Sequence, residues 1–215
     1  MMLAISTVVK QNCIMAIDAV KISLVELVAV RSGYPFRGAI EGGLSGVPVV
    51  QMKDIHPDAG VEWKGVLRVE LTGRKEPEWL DAGDILFVPR GHRFFAARVG
   101  PPPGQAVCGP HLMQLRVRSG SGLVPDFLAW QINQPPMQKQ LHAAAEGTNQ
   151  LSIRVSEIEA LNLALPPLEH QLHIVSLAEA AARERQVLSR LVFNREQELA
   201  ALAGDLARAA GINQA

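Results

Sequence analysis

Apolar positions change their rhythm along the chain. From about Arg31 to Asn133 they come as short runs: Val47-Pro48-Val49-Val50-Gln51-Met52, Val66-Leu67-Arg68-Val69-Glu70-Leu71, Asp84-Ile85-Leu86-Phe87-Val88 and Leu112-Met113-Gln114-Leu115-Arg116-Val117. Short apolar runs bounded by turn residues predict strands. Gly42-Gly43, Pro57-Asp58-Ala59-Gly60 and Pro101-Pro102-Pro103-Gly104 supply the turns. Residues Pro125 to Gln131 predict a short helix. The first part of the chain is therefore expected to be an α+β globule with a curled, mixed sheet.

The rhythm shifts near Ser156. Ser156-Glu157-Ile158-Glu159 has the letters of a capping box, in which a hydroxyl and a glutamate reciprocally serve free backbone N–H groups. A short helix is expected there, then an extended stretch from Asn162 to Leu165 that Pro166-Pro167 halts. Proline at a first helical position loses no hydrogen bond, so Pro167 can open another helix. No proline follows it, and Gly211 suits a C-terminal stop. The predicted helix runs from Glu169 to Ala210, about 60 Å at 1.5 Å per residue.

Along that helix Leu188, Leu191, Val192, Leu199, Leu202 and Leu206 recur at three- and four-residue steps, with Arg195 and Asp205 interrupting a strict heptad. One helix cannot bury such a stripe alone. It must fold back on its domain or pair with another helix, and its length favours pairing as a coiled coil. The expected division is a globular domain over 1–165 and a long helix over 166–215.

Composition narrows the classes. Of 215 residues 48% are hydrophobic and 20% charged, which supports a sizeable core and excludes wholesale disorder. Basic and acidic residues number 21 each, which excludes a polyanion binder that is basic all round. The charge is nevertheless segregated: residues 84–118 carry +4 and residues 119–175 carry −3. A basic segment on a neutral chain points to a local anion site, and a solvated sheet face is the alternative. The charge-free run from Val99 to Leu115 is too short and proline-broken to span a membrane. Met1 to Val9 lacks a basic region, so no signal peptide is expected. Cys13 and Cys108 form no disulfide framework and are expected as buried thiols in a reducing cytoplasm.

Catalytic motifs find little support. Pro57-Asp58 with Glu62-Trp63-Lys64 has the letters of a metal-dependent nuclease core, in which two carboxylates hold Mg²⁺ and a lysine polarises water. The two carboxylates are too close in sequence to come from two strand ends. Asn133-Gln134-Pro135-Pro136 departs from the Asn-Pro-Pro-aromatic loop of amino-methyltransferases, since Gln134 intervenes and Met137 replaces the aromatic. His170 and His173 lie one turn apart without a clear third ligand. No phosphate-cradling lysine loop, nucleophile elbow or Cys-x-x-Cys pair occurs. No cofactor, metal or catalytic residue of the chain's own is expected.

Several stretches in order resemble the specificity subunit of type I restriction–modification systems. They begin with Val25-Glu26-Leu27-Val28-Ala29-Val30-Arg31-Ser32-Gly33-Tyr34-Pro35-Phe36 and Val49-Val50-Gln51-Met52-Lys53-Asp54-Ile55. Leu80-Asp81-Ala82-Gly83-Asp84-Ile85-Leu86-Phe87-Val88-Pro89-Arg90-Gly91 resembles the family pattern L-x-x-G-D-I-L-x-x-x-R-G. Pro125-Asp126-Phe127-Leu128-Ala129-Trp130, Gly147-Thr148-Asn149-Gln150 and Leu163 through Val175, with its Pro166-Pro167-Leu168 and Gln171, complete the set. The likeness spans roughly Leu24 to Val175, and the first seventeen or so residues lack a counterpart.

The resemblance implies a DNA-reading module without catalysis of its own. The full subunit resembles two tandem copies of this unit, each a target recognition domain with a long helix. The helices pair antiparallel and each domain reads half of a split site. Partner methyltransferase subunits would use S-adenosylmethionine to methylate adenine, and a motor-nuclease subunit would use ATP and Mg²⁺. Only one copy is present here, so either the chain forms a homodimer or it serves alone in another methylation or defence complex.

Within that reading Arg90-Gly91-His92-Arg93 is the leading contact segment, because guanidinium is the usual bidentate partner of guanine and a common phosphate ligand. A structural ion pair is the competing role. Arg37, Lys53, Arg74 and Lys75 are further loop candidates. Gln51 could read adenine or be buried structure, and Gln171 is expected to satisfy backbone groups or a partner subunit. Leu188, Leu191, Val192, Leu199, Leu202 and Leu206 are the expected dimerisation stripe. The other readings are the nuclease built on Asp58, Glu62 and Lys64, and a protein-only adaptor whose globular part never touches DNA.

Overall fold

The computed structural model describes residues 18–36, 42–43, 45–71, 76–91, 93–147 and 151–212. Arg37, Arg74, Lys75 and His92, together with Cys13 and residues 148–150, lie outside the described residues.

The architecture grows from strand β7 (Ile85–Val88), whose four consecutive apolar residues are all buried. Successive side chains of a strand point to opposite faces, so a strand covered on both faces needs an apolar residue at every position. Ile85 and Phe87 enter one cluster with Phe127, Leu128 and Leu141, while Leu86 and Val88 enter another with Val50, Ala97 and Leu112. β7 lies inside an antiparallel sheet of order β2-β10-β7-β8, formed with β2 (Val28–Ser32), β8 (Phe95–Arg98) and β10 (Met113–Val117).

The helices cover one face of this sheet: α1 (Leu24–Leu27), α2 (Pro125–Ile132), α3 (Pro135–Ala144) and α4 (Val155–Glu159) all contribute to the first cluster. The mixed pairing expected from the sequence occurs in a smaller sheet. There β3 (Val47–Val50) is antiparallel to β6 (Arg68–Val69) and parallel to β9 (Val107–Cys108). Two two-stranded sheets complete the set: β1 (Val20–Ser23) with β11 (Asn162–Leu165), and β4 (Ile55–His56) with β5 (Gly60–Val61). None of the four sheets is closed.

At the free edge of β8 the Ala96 backbone is satisfied by a side chain. Asn133, at the end of α2, accepts from the Ala96 N–H through Oδ1 at 2.9 Å and donates to the Ala96 carbonyl through Nδ2 at 2.8 Å. Its carboxamide thus pairs with the strand as a further backbone unit would.

Two local expectations shift. The Val66 to Leu71 run forms a strand only at Arg68–Val69, against Val47 and Pro48. Pro48 has no N–H to extend the ladder. The Ser156 capping box is not used: α4 starts at Val155 with Arg154 as its cap, and the Ser156 hydroxyl meets the Glu157 carboxylate. Ile158 is 1% exposed and Val155 packs on the same cluster, so burial of an i, i+3 apolar pair sets this helix.

The long helix α5 covers Leu168–Ala209, and its start is tied into the globule. Pro167 stands one residue before the helix rather than within it, and its carbonyl accepts from the His170 and Gln171 N–H groups at 3.0 and 3.2 Å. Gln171 is buried. Its Oε1 accepts from the Val124 N–H at 2.8 Å, and its Nε2 donates to the Gly122 and Pro166 carbonyls, each at 2.9 Å. Ile174 and Val175 pack on the first cluster. The compact unit accordingly extends through Val175, and a second unit begins at Ser176. At the far end Gly211 has φ +68°, its N–H donates to the Arg208 carbonyl, and the Ile212 N–H donates to the Ala207 carbonyl. These two bonds are the paired C-terminal closure that glycine permits.

Burial pushes the Cys108 thiol up to about 12, so it stays protonated and packs as a small apolar group. No described helix is long and apolar enough to cross a membrane.

Candidate nucleic-acid interface

Three chain segments that are distant in sequence meet beside β7. The first leaves β7 at Pro89. The Pro89 carbonyl accepts from the Ile153 N–H at 2.9 Å, and the Gly91 N–H donates to the Leu151 carbonyl at 3.1 Å. Arg90 is thereby bridged to Ser152, which is bridged in turn to Glu146. Gly91 has φ +107°, a conformation L side chains rarely adopt, and this lets the chain reverse toward β8. Arg90 and Arg93 are exposed on either side of the reversal.

The second segment is the 3-10 turn Met52–Asp54 after β3, which presents Lys53. Asp54 is buried and fixes the turn: its Oδ2 accepts from the Gln51 N–H at 2.8 Å, and its own N–H donates to the Gln51 carbonyl at 3.0 Å. The third segment is Gly109-Pro110-His111 between β9 and β10. The Gly109 N–H donates to the Val50 carbonyl at 2.8 Å, extending the parallel pairing of β3 with β9.

Together these segments bound a groove of about 890 Å³. Its polar lining is Gln51, Lys53, Arg90, Arg93 and His111, and its floor is Val88, Phe95 and Leu112. Four of the expected contact residues (Lys53, Arg90, Gly91 and Arg93) are thus brought together. Arg37, Arg74, Lys75 and His92 lie outside the described residues. His111 was not singled out from the sequence, because the parallel β3–β9 pairing that carries it to the groove has no local signature.

The charge segregation resolves into paired and unpaired arginines. Arg116 is held by Asp84 at 2.6 Å and Asp81 at 2.7 Å, and Arg98 by Asp126 at 3.0 Å. The Asp84 hydrogen bond holds the Arg116 guanidinium above its already high range. Arg118 reaches the Val25 carbonyl at 3.4 Å. Among the described residues, Lys53, Arg90 and Arg93 make no ion pair. Among the described residues, therefore, no acidic side chain holds Arg90 in a structural ion pair. Unpaired cations around a concave, partly apolar surface focus a positive potential and attract anions.

Asp58, Glu62 and Lys64 are exposed on the β4–β5 hairpin and the turn after it, where the Lys64 N–H donates to the Glu62 carboxylate at 3.2 Å. Among the described residues no three His, Cys, Asp or Glu side chains converge as a metal-holding group. On α5 the residues Leu188, Leu191, Val192, Leu199, Leu202 and Leu206 are all between 53% and 72% exposed, and Phe193 joins them at 58%.

No protein-family model matches the chain, and no curated protein matches it. Solved structures do. The type I restriction–modification S subunit of M. genitalium superposes with a TM-score of 0.56 at 16% identity, over 86% of this chain and 44% of its own. The HsdS subunit of Thermoanaerobacter tengcongensis gives 0.58 at 18% identity, over 80% of this chain and 39% of its own. A chain from a type I restriction–modification system, solved to explain complex assembly and conformational transition, gives 0.64 at 21% identity, over 93% of this chain and 48% of its own. The chain spans somewhat under half the length of each. It has, over that length, the fold of type I restriction–modification specificity subunits.

Proposed function

We propose that this chain is the sequence-reading component of a type I-like restriction–modification or DNA methyltransferase complex. The observation that carries the reading is the convergence of Lys53, Arg90 and Arg93, unpaired among the described residues, on one groove of a chain with this fold. Double-stranded DNA supplies the phosphate oxygens and guanine edges that such donors take. The chain contributes recognition. Adenine methylation belongs to methyltransferase subunits that use S-adenosylmethionine, and any cleavage to a motor-nuclease subunit that uses ATP and Mg²⁺. The assembly works in the cytoplasm.

Binding of the full chain to selected and scrambled duplexes at several salt concentrations tests this. Arg90→Ala or Arg93→Ala should weaken binding to the selected site by about 1–3 kcal/mol where the guanidinium grips a base. A phosphate contact would instead weaken all sequences alike and lower the salt slope by about one unit. Unchanged binding in both variants would remove this groove from the DNA surface.

The apolar stripe on α5 supports a homodimer in which two such helices pair antiparallel. An isologous pair shares one two-fold axis, so two identical readers would favour an inverted repeat with a fixed gap. Truncation after Leu177 keeps Gln171, Ile174 and Val175 on the globule and removes the stripe. The expected product is a folded monomer, against a dimer for the full chain, read by light scattering at tens of micromolar. A full-length monomer under those conditions would argue against helix pairing.

A further inference from the structure

We propose that Gln51 reads a base edge in the groove, and that the base is adenine. The inference rests on the DNA reading above and goes beyond it in naming a residue and its base.

The backbone of Gln51 is fully engaged, with its N–H on Asp54 Oδ2 and its carbonyl on the Asp54 N–H. Its side chain is not. The carboxamide nitrogen Nε2 is buried and has no hydrogen-bond partner among the described residues. Buried side-chain donors almost always find an acceptor, and one left without is a feature that needs a reason. Of the other polar side chains in the groove, Lys53, Arg90 and Arg93 bring only donors, and His111, which can accept through a ring nitrogen, makes no hydrogen bond to Gln51 Nε2. A ligand would have to bring it.

The side chain is also held in place. A Cβ added at Gly109 would lie 3.7 Å from Gln51 Cγ, so the glycine backbone lies close beside the glutamine stem. With Asp54 fixing the main chain and Gly109 flanking the stem, the side chain is held at the wall of the groove. A rigid support of this kind is what base reading requires.

The chemistry of the group selects the base. A carboxamide offers one donor beside one acceptor. In the major groove adenine offers N7 as acceptor beside the N6 amino donor, a bidentate match, whereas guanine presents two acceptors and suits the arginines. Phosphate oxygens, which carry charge, are the better ligands for the ammonium of Lys53.

Duplexes selected from a randomised pool by the full-length wild-type chain provide the test, repeated with Gln51→Met, which keeps the length of the side chain without its polar groups. The wild-type motif should contain an adenine whose preference disappears in the Gln51→Met motif while the other positions persist. Affinity for the wild-type site should fall about tenfold in the variant. A site carrying 7-deazaadenine at that position should bind the wild-type chain as weakly as the normal site binds the variant. The thermal midpoint of Gln51→Met should not fall, since no internal hydrogen bond is removed. Weakening that is equal for all sequences would place the amide on the DNA backbone and overturn base reading. Unchanged selection, or a lowered midpoint that accompanies the loss, would overturn the proposal as well. The Arg90→Ala/Arg93→Ala chain separates the two levels. If it loses binding while Gln51→Met does not, only the glutamine proposal fails. If the wild-type chain selects no sequence, the DNA reading fails with it.

Discussion

Replacing Asp84 by alanine should cost about 3 kcal/mol of folding stability. Asp84 is 2% exposed and takes four hydrogen bonds: from the Asp81 N–H at 2.8 Å, from Gln114 Nε2 at 2.7 Å, and from the Arg116 guanidinium at 2.7 and 2.6 Å. Gln114 is equally buried on β10, so the substitution strands its amide, leaving only the Trp79 carbonyl at 3.2 Å. Breaking a buried pair by removing one partner costs about 3–5 kcal/mol. The Arg116 side chain keeps 42% exposure, so water recovers part of its charge and the loss lies at the lower end of that range. Urea denaturation should show the midpoint falling at unchanged slope. A loss below about 1 kcal/mol would mean that the cluster is replaceable surface electrostatics.

Alanine at Gly33 should be comparably damaging for a steric reason. A Cβ there would lie 1.9 Å from the Gly109 carbonyl oxygen and 3.0 Å from that of Cys108. Both obstacles are backbone atoms, which cannot rotate aside. Both sides are also braced, because the Gly33 N–H donates to the Leu112 carbonyl at 2.9 Å and the Tyr34 N–H to the Cys108 carbonyl at 2.8 Å. Either the end of β2 or the Gly109-Pro110-His111 wall must move. Overpacking costs typically 1–3 kcal/mol, and a backbone-on-backbone clash belongs at or above the top of that range, about 3 kcal/mol. Gly100→Ala is the control, since nothing lies within 4 Å of its added Cβ. It should change stability by less than about 0.5 kcal/mol. Because Gly109 flanks Gln51, any surviving Gly33→Ala protein should also show a disturbed groove. A Gly33→Ala chain as stable as the Gly100→Ala control would show that the close approach relaxes freely.

Much of this was legible in the chain. The apolar run through Val88 was legible as a strand and forms one at Ile85–Val88, whereas the burial of Asp84 beside it was not. The long helix and its glycine closure followed from the absence of proline and from apolar periodicity, and the backbone-satisfying role of Gln171 from its place at the start of that helix. What could not be read was set by tertiary contact. The Ser156 box lost to the burial of Ile158. The charge of the 84–118 segment did not say which arginines are paired, because Arg98 and Arg116 find their acids through the fold. The groove itself depends on β3 lying parallel to β9, a contact between distant segments that leaves no pattern in either.

Asn133 bears on the order of events during synthesis. Strands β8, β7 and β10 all precede it in the chain, so the four-stranded sheet can assemble on the ribosome before the residue that covers its free edge has emerged. An uncovered edge is a template for pairing with another chain. Until α2 is complete, the nascent protein offers the Ala96 backbone to any neighbour. Loss of the Asn133 carboxamide would prolong that interval indefinitely, so its signature would be poor yield and misassembled chains at high expression, more than a lowered midpoint in the protein that survives.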